Sequence, residues 1–344
     1  MQNLIVIDFE TYYDKNYGLK KFTLEEYIRD SQFEVIGVAV KENDNETVWF
    51  TGTHLEIKQS LNTFDFANSF VVGHNMRFDG AILSWVFDIK PKGLMDTMGM
   101  GTIIHGLTES VSLKNLSELY SLGQKGTEVL DALGKHRKDF TPNDLAQYGR
   151  YCINDVELTR GLFYQLLPKF TSKELKLIDL TIRMFTEPKL ELNKGLLVRH
   201  LADVRATKEE LLEKVAVDKD IEESRTETFI HIANRGKLPV PLKYAGAVVT
   251  HRWSGTDGIN LQNLPRTSPL RNAICAPKGY KIVASDLSNI ELRLAYWFAK
   301  SHHKVNLIRQ GIDLYKQSAA EITGIDYNEV NKDLRYIFKV VNLS

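Results

Sequence analysis

The chain has 344 residues, 43% hydrophobic and 26% charged, and its 44 basic and 44 acidic side chains balance to zero. That length suits about two domains, and that composition excludes disorder as the main state. No window approaches the ~20 apolar residues of a membrane helix, and residues 1–10 lack the basic region and cleavage site of a signal peptide.

In chain order, residues 3–9 (NLIVIDF) predict a buried strand. Residues 33–40 and 46–50 flank Asn43-Asp44 and predict a hairpin. A strand over 70–73 runs into a helix from about 78 to 87. Thr141-Pro142-Asn143-Asp144 opens another helix, with a threonine cap, proline in the first turn and an acid at the positive end. Strands interleaved with helices up to about residue 170 predict an α/β domain. From about 173 the pattern is helical, broken at Thr186-Glu187-Pro188, with a second amphipathic stretch over 194–217. Residues 218–250 read as a polar linker followed by short extended pieces. A strand over 281–284 is predicted to turn directly into a helix over 289–300, and a last helix starts near 329.

The charge is unevenly spread. Residues 1–240 carry 30 basic against 36 acidic side chains, and residues 241–344 carry 14 against 8. An acidic half suits cations and a basic one suits phosphates, although such runs are usually solvated faces. Cys152 and Cys275 stand far apart with no CxxC, which argues against a disulfide framework or a thiolate zinc site and fits a reducing cytoplasm.

Asp8 and Glu10 lie two apart on the first strand and so share a face. Two adjacent acids on a buried strand repel each other and resist desolvation, which a cation relieves. A strand end with a turn-capping Asp8 and a solvated Glu10 has the same pattern. Asp79 follows a strand at the start of a helix, within NMRFD, and a helix cap accounts for it equally. Asp155 lies one helical turn after Tyr151 in YCIND, so the two share a face.

DFE, then NxxFD, then YxxxD, in that order, resembles the three motifs of 3′–5′ proofreading exonucleases with the DEDDy arrangement. The resemblance covers roughly residues 1–170 and implies an RNase H-like fold. It implies that Asp8, Glu10, Asp79 and Asp155 hold two Mg²⁺ or Mn²⁺ ions, that Tyr151 orients the attacking water, and that Asn75 positions substrate. Hard oxygen ligands suit those ions, and two of them about 3.5–4 Å apart activate water and neutralise the leaving oxygen.

In the basic half, the run 242–266 offers Arg252, Asn260, Gln262 and Asn263 as donors suited to sugar, phosphate and minor-groove acceptors. Asp286 ends the predicted 281–284 strand, and Ser288-x-x-Glu291 makes a capping box. Arg335 and Lys339 lie four apart on one helix, a spacing that costs a few tenths of a kcal/mol unless an anion lies between. Together these resemble family A DNA polymerases, closest to the phage type. DLSNIELR resembles motif A of the palm, implying Asp286 as a metal-binding carboxylate and Glu291 as the steric gate. Residues 311–324 resemble the entry to the fingers, and Arg335-x-x-x-Lys339 the start of motif B, which grips the triphosphate. Arg252 and its neighbours resemble the primer–template contact. His251 and Phe338 stand where relatives carry glycine.

The implied architecture is an α/β exonuclease domain at 1–172, a reduced thumb-like helical region at 173–241, and a partial palm with the start of the fingers at 242–344. The run between Asp155 and Asp286 is short for the family, and nothing resembling motif C follows. The expectation is an active two-metal 3′–5′ DNA exonuclease that does not polymerise alone. Its expected partners are primer–template DNA and single-stranded 3′ ends, deoxynucleotides if the palm is completed, and a second polypeptide supplying the rest; no membrane is expected. The location expected is the cytoplasm, the host's if phage-encoded. The alternatives are a stand-alone nuclease acting on RNA and a DNA-binding subunit of a split polymerase.

Overall fold

The structure, a computed structural model, describes residues 3–126, 132–212, 220–287 and 290–343. These form two compact units, residues 1–281 and 282–344.

The first unit is built on a five-stranded mixed sheet. Strand β1 (Asn3–Thr11) is followed by helix α1 (Leu24–Arg29), then β2 (Val35–Glu42) and β3 (Val48–Thr51). Helix α2 (His54–Leu61) leads to β4 (Ser69–Gly73), α3 (Met76–Ala81), β5 (Gly93–Asp96), α4 (Thr97–His105) and α5 (Leu113–Leu119). The spatial order is β3-β2-β1-β4-β5, with β2 antiparallel to both its neighbours and β4 parallel to β1 and β5. This is the strand order of an RNase H-like domain. Asn43, at φ 52°, makes the predicted β2–β3 turn, since asparagine tolerates the left-handed region. Strand β5 has no sequence-level counterpart in our reading: its four residues, GLMD, carry no β-branched side chain.

Helix α6 (Pro142–Leu166) lies across β1 and β2. Thr141 caps it as predicted, accepting from the Asp144 amide, and Asp144 in turn accepts the Thr141 amide to complete a capping box. Trp49 of β3 wedges between Gly37 of β2 and Gly149 of α6. A Cβ at Gly37 would lie 2.3 Å from the Trp49 ring, and one at Gly149 2.6 Å from it. These two glycines therefore set how closely α6 approaches the sheet. Helix α7 (Ser172–Thr186) ends where the Thr186-Glu187-Pro188 break predicts, and its Asp179 accepts the Leu94 amide of β5 at 2.8 Å.

Beyond α7 come β6 (Glu191–Leu192), α8 (Lys194–Leu212) and α9 (Asp220–Arg235). Helix α9 corrects the linker reading of 218–250. Ion pairs tie its polar side to α8: Arg205 meets Glu223 at 2.8 Å and Glu227 at 2.6 Å. Its later turns join the core, where Phe229 and Ile232 pack with Leu197. The hairpin β7 (Leu242–Ala247) and β8 (Arg252–Gly255), then α10 (Pro269–Asn272) and β9 (Ile274–Cys275), complete this unit.

The second unit holds α11 (Ile290–Phe298), α12 (His302–Arg309), α13 (Leu314–Thr323) and α14 (Lys332–Leu343). The strand expected at 281–284 is not formed; the backbone is irregular and exposed from 281 to 287. An extended run becomes a strand only when a neighbour takes its amides and carbonyls, and no described strand pairs with it. No described helix is long and apolar enough to cross a membrane.

Candidate active site

Strand β1 delivers Asp8 and Glu10 to one cleft of about 650 Å³, and α6 delivers Tyr151 and Asp155 to the same cleft. Asp79 of α3 lies behind it, 2% exposed, with Oδ1 accepting the Phe9 amide at 3.0 Å. It is thus tied to the backbone between Asp8 and Glu10, and does not cap its own helix as the bland reading has it.

Crowding these acids raises their proton affinity. Burial, then repulsion from Asp155, pushes the Asp8 carboxyl up to about 7. Burial followed by repulsion from Asp8 drives both Glu10 and Asp79 well above the usual carboxylate range. Burial and the neighbouring Asp155 likewise push the Tyr151 phenol up, so it stays a hydrogen-bond donor.

Four neighbours escape the sequence reading. Tyr148 donates to Glu10 Oε2 at 2.6 Å. Cys152 donates to the Asp8 carbonyl at 3.3 Å and to Asp8 Oδ2 at 3.4 Å. Both lie on the face of α6 that carries Tyr151 and Asp155, so helical spacing around YGRYCIND would have found them. Burial raises the proton affinity of the Cys152 thiol, which suits its donor role in the metal-free protein, and its Sγ lies within 4.8 Å of the Asp8 and Glu10 ligand atoms. Asp96, at the end of β5, accepts the Asn75 amide at 2.9 Å and that of Met98 at 3.0 Å, bracing the chain before α3. Lys125 places its ammonium against Asp155 Oδ2 and 4.9 Å from the Tyr151 ring centroid. No periodicity in SLGQKG signals that contact, which exists only in the tertiary fold.

Asn75 adopts φ 73°, ψ 49° before α3 and lines a different cleft, with Arg77 and Tyr244. Arg252 is exposed at the start of β8, Asn260 accepts the Gln262 amide at 3.1 Å, and Gln262 and Asn263 are exposed. His251 sits at φ 52°, a turn conformation that glycine adopts most easily. In the second unit, Asp286, Glu291 and Lys339 are exposed, and Ser288 of the expected capping box lies outside the described residues. Arg335 is not left facing Lys339 for want of an anion, because it pairs with Asp313 at 2.6 Å. Phe338 is buried against Ala319 and Val330, which gives this side chain a packing role. Ile337, Val340 and Val341 are each more than half exposed.

Family comparison gives two matches. Residues 22–171 match the 3′–5′ exonuclease model, and residues 198–344 match DNA polymerase family A. Each match covers less than half of the chain, the exonuclease one in the N-terminal part and the family A polymerase one in the C-terminal part. Among the curated relatives of this chain, DNA polymerase I of Pseudomonas aeruginosa is 37% identical over 29% of this chain and 11% of its own length. The thermostable DNA polymerase I of Thermus filiformis is 35% identical over 28% of this chain and 12% of its own. The chain therefore aligns with about a tenth of the length of these relatives. A solved structure, the POL domain of Pol1 from M. smegmatis in complex with DNA primer-template and dNTP, superposes with a TM-score of 0.62. That superposition runs over 99% of this chain and 67% of the other, at 14% identity.

An exonuclease fold of this kind implies use of a divalent metal, and the donor set of the cleft fits one. The ligand atoms of Asp8 and Glu10 lie within 4.8 Å of one another, and burial and mutual repulsion leave these carboxylates short of positive charge. Lys125 supplies some of that charge in the metal-free protein. Replacing Lys125 by Met removes a competing cation, so Mg²⁺ affinity should rise about tenfold, or ~1.4 kcal/mol, in calorimetric titration. Unchanged affinity would contradict this competition.

Proposed function

We propose that the chain works as a metal-dependent 3′–5′ exonuclease on DNA, joined to a polymerase segment that contacts primer–template and deoxynucleotide. The observation that carries this reading is the convergence of β1 and α6 carboxylates on one open cleft, with their proton affinities raised by that convergence. Two bound Mg²⁺ or Mn²⁺ ions would supply a nucleophilic water at neutral pH and charge neutralisation at the leaving oxygen. Asp8, Glu10 and Asp155 would hold them, with Asp79 supporting the site from behind. Tyr148 and Cys152 fix the Glu10 and Asp8 carboxylates in place. Tyr151, which lines the cleft beside Asp155, orients the water that adds to phosphorus. The P–O3′ bond breaks, the shortened strand's 3′ oxygen takes a proton, and a nucleoside 5′-monophosphate leaves.

The remaining assignments rest on the family resemblance. Asp286 is the palm carboxylate, Glu291 screens the sugar, Arg335 and Lys339 meet the triphosphate, and Arg252, Asn260, Gln262 and Asn263 meet DNA. Asn75 positions substrate. The primer-template and dNTP held by the structurally similar POL domain support DNA and deoxynucleotides as partners. The functional division follows 1–172, 173–241 and 242–344, and the cytoplasm is the location this reading expects.

The test is a 5′-labelled DNA strand incubated with Mg²⁺. A ladder shortened from the 3′ end, absent with a chelator, is expected; an uncut strand would overturn the reading. Tyr151→Phe should slow cleavage about 10–100-fold with metal binding unchanged, as read by single-turnover kinetics beside a metal titration. An unchanged rate would remove Tyr151 from the mechanism.

A further inference from the structure

The mouth of the carboxylate cleft has the opposite charge to its floor. Lys15, Lys20 and Lys21 line it, all exposed, and none has a carboxylate partner among the described residues. Acids lie in the same cleft, where Lys125 pairs with Asp155, yet these three lysines stay apart from them. The segregation is built in by the loop between β1 and α1. Asp14 accepts the amides of Asn16 at 2.6 Å and Tyr17 at 2.7 Å, and the Tyr12 hydroxyl donates to it at 2.7 Å. Tyr17 is buried, its hydroxyl bonded to the Tyr27 carbonyl at 2.5 Å. The Lys21 and Phe22 amides close a turn onto the Gly18 carbonyl. The lysines are thus carried on a braced loop, although their ammonium groups reach solvent.

An acidic floor alone repels a polyanion, so a strand can enter only if something offsets that repulsion at the mouth. The same cleft offers rings from Tyr13 and Phe78, and Leu19 is 52% exposed there. Ammonium groups for phosphates, beside rings and apolar surface for bases, are the combination that binds single-stranded polynucleotide. We infer that Lys15, Lys20 and Lys21 form a phosphate-binding rim. It holds the nucleotides next to the one at the carboxylates, so the cleft takes a single-stranded polynucleotide in preference to a lone nucleotide. This inference rests on the exonuclease reading, and the experiment separates the two.

The full chain and a triple variant (Lys15→Gln, Lys20→Gln, Lys21→Gln) are compared in two measurements. The first is anisotropy of a fluorescent single strand without divalent metal, across salt concentrations and strand lengths. Wild-type affinity should climb with strand length. The variant should bind about tenfold more weakly, its log–log salt slope smaller by about 2. The second is Mg²⁺-dependent cleavage of the strand and of a nitrophenyl ester of thymidine 5′-phosphate, too short to reach the rim. KM for the strand should rise about tenfold while cleavage of the ester stays unchanged. A triple arginine variant keeps the charge and should restore binding. Equal strand affinity in wild type and variant, affinity independent of strand length, or equal slowing on both substrates would each overturn the rim. If wild type cuts neither substrate, the exonuclease reading fails, and the anisotropy still decides the rim.

Discussion

Asp8→Asn should cut strand shortening by roughly a thousandfold or more while raising the melting temperature of the metal-free protein. Activity falls because a carboxylate placed to hold a cation is gone. Stability rises because Asp8, Glu10, Asp79 and Asp155 repel one another within a buried site, and removing one charge relieves the others. The asparagine carbonyl can still accept from Cys152, whose other bond goes to the Asp8 backbone. At this chain size each kcal/mol gained moves the midpoint by about 2–4 °C. Turnover and thermal melting with chelator present check the pair. Full activity would remove Asp8 from the site, and a lowered midpoint would contradict the repulsion account.

Divalent-metal affinity should rise steeply as pH climbs toward and through 7. Asp8 holds a proton until about pH 7, and Glu10 is also raised well above its ordinary value, so a metal must displace protons below that point. One displaced proton corresponds to about tenfold in affinity per pH unit, and two make the dependence steeper. The sign for stability is opposite. With a folded pKa above the unfolded 3.8, Asp8 binds more proton in the native state between about pH 4 and 7. The metal-free protein therefore loses stability as pH rises through that window and onward to the folded pKa. Saturating Mg²⁺ should restore it, most strongly above pH 7. Melting curves across pH 5–9, with Mg²⁺ and with chelator, measure both trends; parallel curves would contradict the coupling.

Much of the first unit is legible from local physics. The Thr141 cap, the Asn43 turn and the break after Thr186 each depend on two or three adjacent residues, and each appears where expected. Local pattern fails where partners are distant. Helix α9 looks like a linker because its Glu223 and Glu227 are satisfied by Arg205 and Lys208 on α8, partners distant in sequence. The 281–284 run has the side chains of a strand and, among the described residues, no neighbour to pair with. At the site, period two places Asp8 and Glu10 together and helical spacing adds Asp155 to Tyr151. Lys125 and Asp96 come from loops and strand ends 20–30 residues from their partners, which no periodicity reveals. Arg335 shows the same limit, its neutralising Asp313 lying on the preceding helix–loop junction.

The most direct test of the central claim is a Mn²⁺ titration at pH 8 followed by electron paramagnetic resonance, in wild type and Asp8→Asn. Two Mn²⁺ ions bound per wild-type chain, displaced by Mg²⁺ and at least one of them lost in the variant, is the predicted result. Binding at full stoichiometry in the variant, or none in the wild type at millimolar Mn²⁺, would contradict a metal-holding site at these carboxylates.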